Sequence, residues 1–195
     1  MMKRTMLIAA CFLAAGASAQ QPAVPSPAQQ PQQQPDNKSP SMGERTGVNS
    51  MLNVTPSTQE FVKDVATSDL FEIASSRLAS ERGDAATKKF ADRMLQDHQK
   101  TTAELKSMVQ AQKVEVTPPA DLDAPHQRKI DKLKQLKGAD FDKRYAEDQI
   151  DAHKEAVSLF ERYAKNGDNP ALKEWAAKTL PTLQEHLQMA QNLHH

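Results

Sequence analysis

The chain has 195 residues, 26% of them charged and only 5% aromatic, and its 25 basic and 25 acidic residues cancel. No block of basic residues stands out, so a nucleic-acid or anionic-membrane partner has no electrostatic footprint here. The abundance of Ala, Leu, Lys, Glu and Gln favours helices over strands.

In chain order, the first segment has the three parts of a secretory signal. Lys3 and Arg4 supply the positive end, and Met6 to Ala15 an apolar stretch too short to span a bilayer. Ala17-Ser18-Ala19 then places small residues at the cleavage positions. The expectation is a signal peptide over residues 1–19 and a mature chain from Gln20 that is exported, either periplasmic or secreted. The single cysteine, Cys11, falls inside the removed segment. Its surroundings loosely resemble a lipoprotein cleavage box, but the apolar run continues past it, which argues against lipidation. The mature chain would then have no disulfide, thiol chemistry or cysteine metal ligand, which suits an oxidising compartment. No later segment reads as a membrane span.

Residues 20–56 are rich in Pro, Gln, Ser and Asn and nearly free of bulky apolar side chains. Such a stretch buries too little surface to offset the entropy of ordering it, and it reads as a disordered tail. A helical domain over residues 57–195 follows.

Ser57-Thr58-Gln59-Glu60 ahead of Phe61-Val62 is a capping-box start. The first long helix runs to about Arg82 and stops at Gly83, expected in the left-handed conformation. Asp84 caps a second helix that continues to about Lys113. Three prolines between Val116 and Pro125 mark a connector. A short helix from His126 to Lys137 is expected to stop at Gly138, with Asp140 capping the third long helix. Asn169-Pro170 starts the fourth, in which Pro181 is expected to introduce a kink.

Tight turns join the first long helix to the second and the third to the fourth. The middle connection has about a dozen loop residues plus a short helix, a reach of about 35–40 Å. That is one bundle length. The chain can therefore return before the third long helix begins, which makes the second and third parallel. The fold class expected is all-α: a ferritin-like four-helix bundle with a long crossover between helices two and three.

Several runs together resemble a known family. They are Phe61-Val62, Phe71-Glu72-Ile73-Ala74, Phe90-Ala91-Asp92-Arg93-Met94 with Asp97-His98, and Gly138-Ala139-Asp140-Phe141-Asp142 with Tyr145. His153-Lys154-Glu155-Ala156-Val157 and Leu180-Pro181-Thr182-Leu183 with Glu185-His186-Leu187 complete the set. The family consists of exported bacterial proteins with a domain of unknown function, grouped with the ferritin-like superfamily. The resemblance covers residues 59–193. It implies a ferritin-like bundle and an exported location, and it brings no activity with it.

Ferritin-type di-iron centres draw a Glu-x-x-His pair from each of two helices. That pair occurs nowhere in this chain, which excludes the usual ligand set. A different set is present. Met94, His98, Leu105 and Val109 share one stripe of the second helix. Gln149, His153, Val157 and Phe160 share one of the third, and Leu183, His186 and Ala190 one of the fourth. Val65, Glu72 and Ala79 are spaced by sevens on the first. Each helix thus turns one polar residue inward, and at 1.5 Å per residue all four lie within about two turns of one another.

Glu72, His98, His153 and His186 are therefore candidate ligands for a zinc, iron or copper ion. Asp97, Asp151 and Glu185 point elsewhere and can only be outer partners. A purely structural network, with the histidines satisfied by Thr101, Thr102, Glu72 or water, stands beside this reading. His126 and His194-His195 are expected in solvent. Trp175 and the Met residues match ordinary core spacing. No serine has a matching base and acid, so nucleophilic hydrolysis has no support. Two functions remain at this level. One is a non-catalytic exported binding or stress-related module; the other is a periplasmic metal-binding protein with a Glu/His3 site in the bundle core.

Overall fold

The computed structural model describes residues 54–193. The expected signal peptide, nearly all of the expected tail, and His194-His195 lie outside them. Five helices and no strand are found among the described residues: α1 (Thr58–Arg82), α2 (Ala85–Ala111), α3 (Ala124–Gln135), α4 (Gly138–Asn166) and α5 (Pro170–Leu193).

The starts of α1 and α5 follow from local chemistry. The Ser57 hydroxyl accepts from the Glu60 amide while the Glu60 carboxylate accepts from the Ser57 amide, so two orphan donors of α1 are satisfied reciprocally. The Asn169 side chain accepts from the Leu172 amide, and Pro170 takes the first helical position. Helix α5 continues through Pro181 without interruption.

Two glycines behave differently from the expectation. Gly83 is extended, with φ −70° and ψ 167°, and not left-handed. Close approach demands a glycine there instead, because a Cβ would lie 2.5 Å from Thr87 Cγ2 and 2.8 Å from the Ala79 carbonyl oxygen. Gly138 opens α4 and does not close the helix before it, and its φ of +54° is the turn that redirects the chain. The short helix accordingly ends at Gln135, and Lys137 precedes α4 without a side-chain cap. Asp140 lies in the first turn of α4, where its charge complements the helix dipole.

The long helices pack as α1 with α2, α4 with α5, α1 with α4 and α2 with α5, while α3 lies against α1 and α4. Side-chain contacts fix their directions. Thr58 and Ser76 of α1 meet Tyr163 and Tyr145 of α4 respectively, so these helices run antiparallel. Asp97 and Glu104 of α2 meet His186 and Trp175 of α5, again antiparallel. Since the turn at Gly83 reverses α1 into α2, α2 and α4 run the same way. The long connection with α3 carries the chain back between them.

The interior falls into two apolar groups. One holds Phe61, Val65, Leu105, Phe160, Tyr163 and Leu183, and the other Phe71, Met94, Phe141, Tyr145 and Ala190. On every long helix a polar residue sits at the boundary between them. These are Glu72, His98, His153 and His186, and each is 3% exposed or less.

Candidate metal centre

A histidine that is one turn from apolar neighbours on an amphipathic helix must face the core. Four antiparallel contacts bring three such helices to the same level. His98 of α2, His153 of α4 and His186 of α5 each offer one ring nitrogen, and the three nitrogens lie within 4.8 Å of one another. Ring centroids are separated by 5.4–5.7 Å.

Each ring is held through its outer nitrogen. His98 Nδ1 is 2.8 Å from Asp69 Oδ1, His153 Nδ1 is 2.9 Å from the Gln149 carbonyl oxygen, and His186 Nε2 is 2.9 Å from Asp97 Oδ2. Carbonyl and carboxylate oxygens only accept, so the outer nitrogens carry the protons. The opposite nitrogens, His98 Nε2, His153 Nε2 and His186 Nδ1, are buried without a hydrogen-bond partner. Three fixed tautomers thus leave three lone pairs for a shared ligand. An outer acceptor that orients each imidazole is the usual support of a histidine metal ligand.

Glu72 stands beside this set. Its Oε1 lies 3.9 Å from His153 Nδ1, and it is not among the three groups whose donor atoms converge. Neither of its oxygens has a hydrogen-bond partner of ordinary geometry, although the Gln149 amide is near enough to favour its charge. Burial raises its carboxyl from 4.5 to about 7, against the pull of His98 and Gln149.

The three imidazoles titrate differently. Burial and the neighbouring charges of His98 and His186 push His153 well below the usual histidine range. Burial and His98 bring His186 down to about 4, with Asp97 opposing. Burial works against the His98 imidazolium too, but the Asp69 bond and charge outweigh it and hold His98 above the usual range. A cation held on His98 Nε2 would displace that second proton.

Sequence reasoning placed all four candidates inside but missed Asp69. It is buried and accepts from Thr102 as well as meeting His98. The available signal was its position three residues before Glu72, one turn away on a similar face. Asp97 is an outer partner, though of His186 across the bundle and not of its neighbour His98. Asp151 and Glu185 are exposed. Thr102 reaches His98 only through Asp69, and Thr101 bonds its own helix at the Asp97 carbonyl. His126 is a correction. It is 7% exposed, bonded to Asp123 at 2.6 Å, and its ring centroid lies 5.1 Å from that of Phe71.

Residues 43–193 match the family described as Domain of unknown function (DUF4142). The chain belongs to this family. No curated protein and no solved structure matches it. The DUF4142 match begins ahead of Ser57, inside the segment read as tail, and it spans all five helices and every residue of the histidine centre. Among the described residues of this DUF4142 chain, no helix is long and apolar enough to cross a membrane.

Proposed function

We propose that this DUF4142 chain is an exported, non-catalytic metal-binding protein with a ferritin-like arrangement of its four long helices. It holds one transition-metal ion on His98, His153 and His186. The observation that carries this reading is three buried imidazoles that each offer one nitrogen within 4.8 Å of the others, each with one nitrogen hydrogen-bonded and the other without a partner. Each buried polar atom left unpaired costs about 1–3 kcal/mol, so these inner atoms call for a shared partner.

Imidazole donors suit zinc, copper and iron and not the oxygen-seeking calcium or magnesium. Metal–nitrogen bonds of about 2.0–2.1 Å in a tetrahedron place the nitrogens about 3.4 Å apart, so binding would shorten their separations by up to about 1.4 Å, a shift of under about 1 Å for each ring. Glu72 is the fourth donor in this reading, with both oxygens lacking partners and its charge favoured once a cation is present. Asp69, Asp97 and Glu72 together supply three negative charges around a divalent ion, and Arg93 on Asp97 offsets one of them. The ferritin-like assignment is supported by the parallel course of α2 and α4 and the long connection between them. Export is supported by the charge, length and cleavage pattern of residues 1–19.

Metal content decides the matter. The mature chain, purified without a histidine tag, is expected to retain near-stoichiometric zinc, copper or iron, and the His98→Ala/His153→Ala variant to retain none while keeping its helical content. Wild type that is metal-free and gains no thermal stability from any added divalent ion leaves the layer as a structural network.

A further inference from the structure

The three histidines are each 3% exposed or less, so an ion needs a way in. A surface cavity of about 430 Å³ lies between α2 and α5, bounded by Arg93, Asp97, Thr101, Glu104, Trp175 and Thr182. Among the described residues, Asp97 joins this cavity to the triad: it lines the wall and accepts from His186 Nε2 at 2.9 Å. The same carboxylate oxygen, Oδ2, also accepts from Arg93 Nε. Arg93 is half exposed, its side chain at 45%, while that of Asp97 is at 20%. The guanidinium thus caps, from the solvent side, the carboxylate that holds a triad histidine.

We propose that this cavity is the loading port of the histidine centre, with the Arg93–Asp97 ion pair as its gate. The inference rests on the metal-binding reading above and adds the route.

Three features fit a port. The seam between α2 and α5 is thinner than the interfaces within the α1–α2 and α4–α5 hairpins, so it opens with less loss of packing. Thr101 and Thr182 line it with hydroxyls that can replace water around a passing cation. Carboxylates stand along it, Glu104 near the outside and Asp97 at the floor, and the other nearby cations are occupied. Lys100 lies 3.9 Å from Glu104 and Lys178 lies 2.7 Å from Glu174. Arg93 is the cation placed directly on the floor carboxylate. An exposed ion pair of this kind is held by about 0–1 kcal/mol and exchanges readily. When Arg93 swings out, Asp97 presents its charge to an incoming dication, which passes beside the His186 ring, whose Nε2–H faces Asp97, to the free Nδ1 on its other side.

Removing the guanidinium therefore speeds passage in both directions and leaves the three histidine donors in place. The test is cobalt(II) uptake by metal-stripped, otherwise intact protein, followed in stopped flow by visible absorption. Arg93→Gln is expected to raise the uptake rate about three- to tenfold, from loss of one repelling charge near the path, with release accelerated alongside and the final absorbance unchanged. Thr182→Trp, which fills the cavity, is expected to slow uptake, again to the same final absorbance. Lys134→Gln removes one positive charge on α3, beside Asp131, and is expected to leave the rate unchanged. An unaltered rate in Arg93→Gln, or an equal rise in Lys134→Gln, overturns the port while the final absorbance still reports an intact triad. Wild type that takes up no cobalt at any time overturns the metal-binding reading itself, and the port with it.

Discussion

The two parts of the interior obey opposite rules. At the Phe61 end, every ring has a partner: Phe61 stacks on Tyr163 at 3.8 Å, meets Phe160 edge-on at 5.2 Å, and lies 6.2 Å from Trp175. Polar groups at its edge are paired too, with Thr58 2.6 Å from the Tyr163 hydroxyl and Trp175 Nε1 donating to Glu104 at 3.0 Å, while Arg162 Nε, beside Tyr163, is a buried exception. One level along the same helices, Glu72, His98, His153 and His186 are as deeply buried, yet each keeps at least one side-chain atom without a partner. The apolar end gains from burial. The polar layer instead gathers unpartnered side-chain atoms in the middle of the helices. Apolar packing at one level and the binding proposed at the other are thus separate.

Substitutions at the two levels should therefore separate. Phe61→Ala, at the apolar end, is expected to lower the unfolding free energy by about 3–5 kcal/mol in urea titrations. Metal stoichiometry should be kept below the unfolding transition. If metal is lost in step with a small stability change, the two levels are not independent.

Glu72→Gln works the other way in metal-free protein. The folded carboxyl is raised to about 7 against 4.5 when unfolded, so the fold binds the extra proton and is penalised as pH rises from 4.5 to 7. The variant is expected to be the more stable protein at pH 8, by on the order of 2–3 kcal/mol, with the advantage gone near pH 4.5. Thermal unfolding at the two pH values checks both size and sign; an advantage that grows toward acid contradicts the burial argument.

A smaller effect is expected at Asp69, which orients His98 and touches no ion. Asp69→Asn should weaken zinc binding by about 10- to 100-fold with stoichiometry unchanged, as measured in competition with a chromophoric chelator. An unchanged affinity would mean that the His98 tautomer is set by other groups.

Much of this contrast is legible in the sequence because the 3.6-residue period assigns a face to each residue. Met94, His98 and Leu105, or Val65, Glu72 and Ala79, declare their burial by spacing, and all six are buried. Ser57, Asp84 and Asn169 declare helix starts by chemistry that acts within three residues. What spacing does not encode is lateral pairing between helices. Asp69 reads as an ordinary acidic helix residue until α2 is laid beside it, and Asp97 finds its histidine 89 positions away. His126 follows a proline-rich connector and therefore reads as exposed, but α3 folds over α1 and α4 and buries it against Phe71. Gly138 reads equally as a stop or a start, and only the path of the chain decides.

Three imidazoles from three helices, converging on one ion, carry the proposal. X-ray absorption at the metal edge of the zinc- or cobalt-loaded protein tests it most directly. A first shell at about 2.0–2.1 Å with the outer-shell scattering of three imidazole rings is expected, reduced in His153→Ala. A shell of oxygen atoms without imidazole scattering, or one that is the same in the variant, would contradict it.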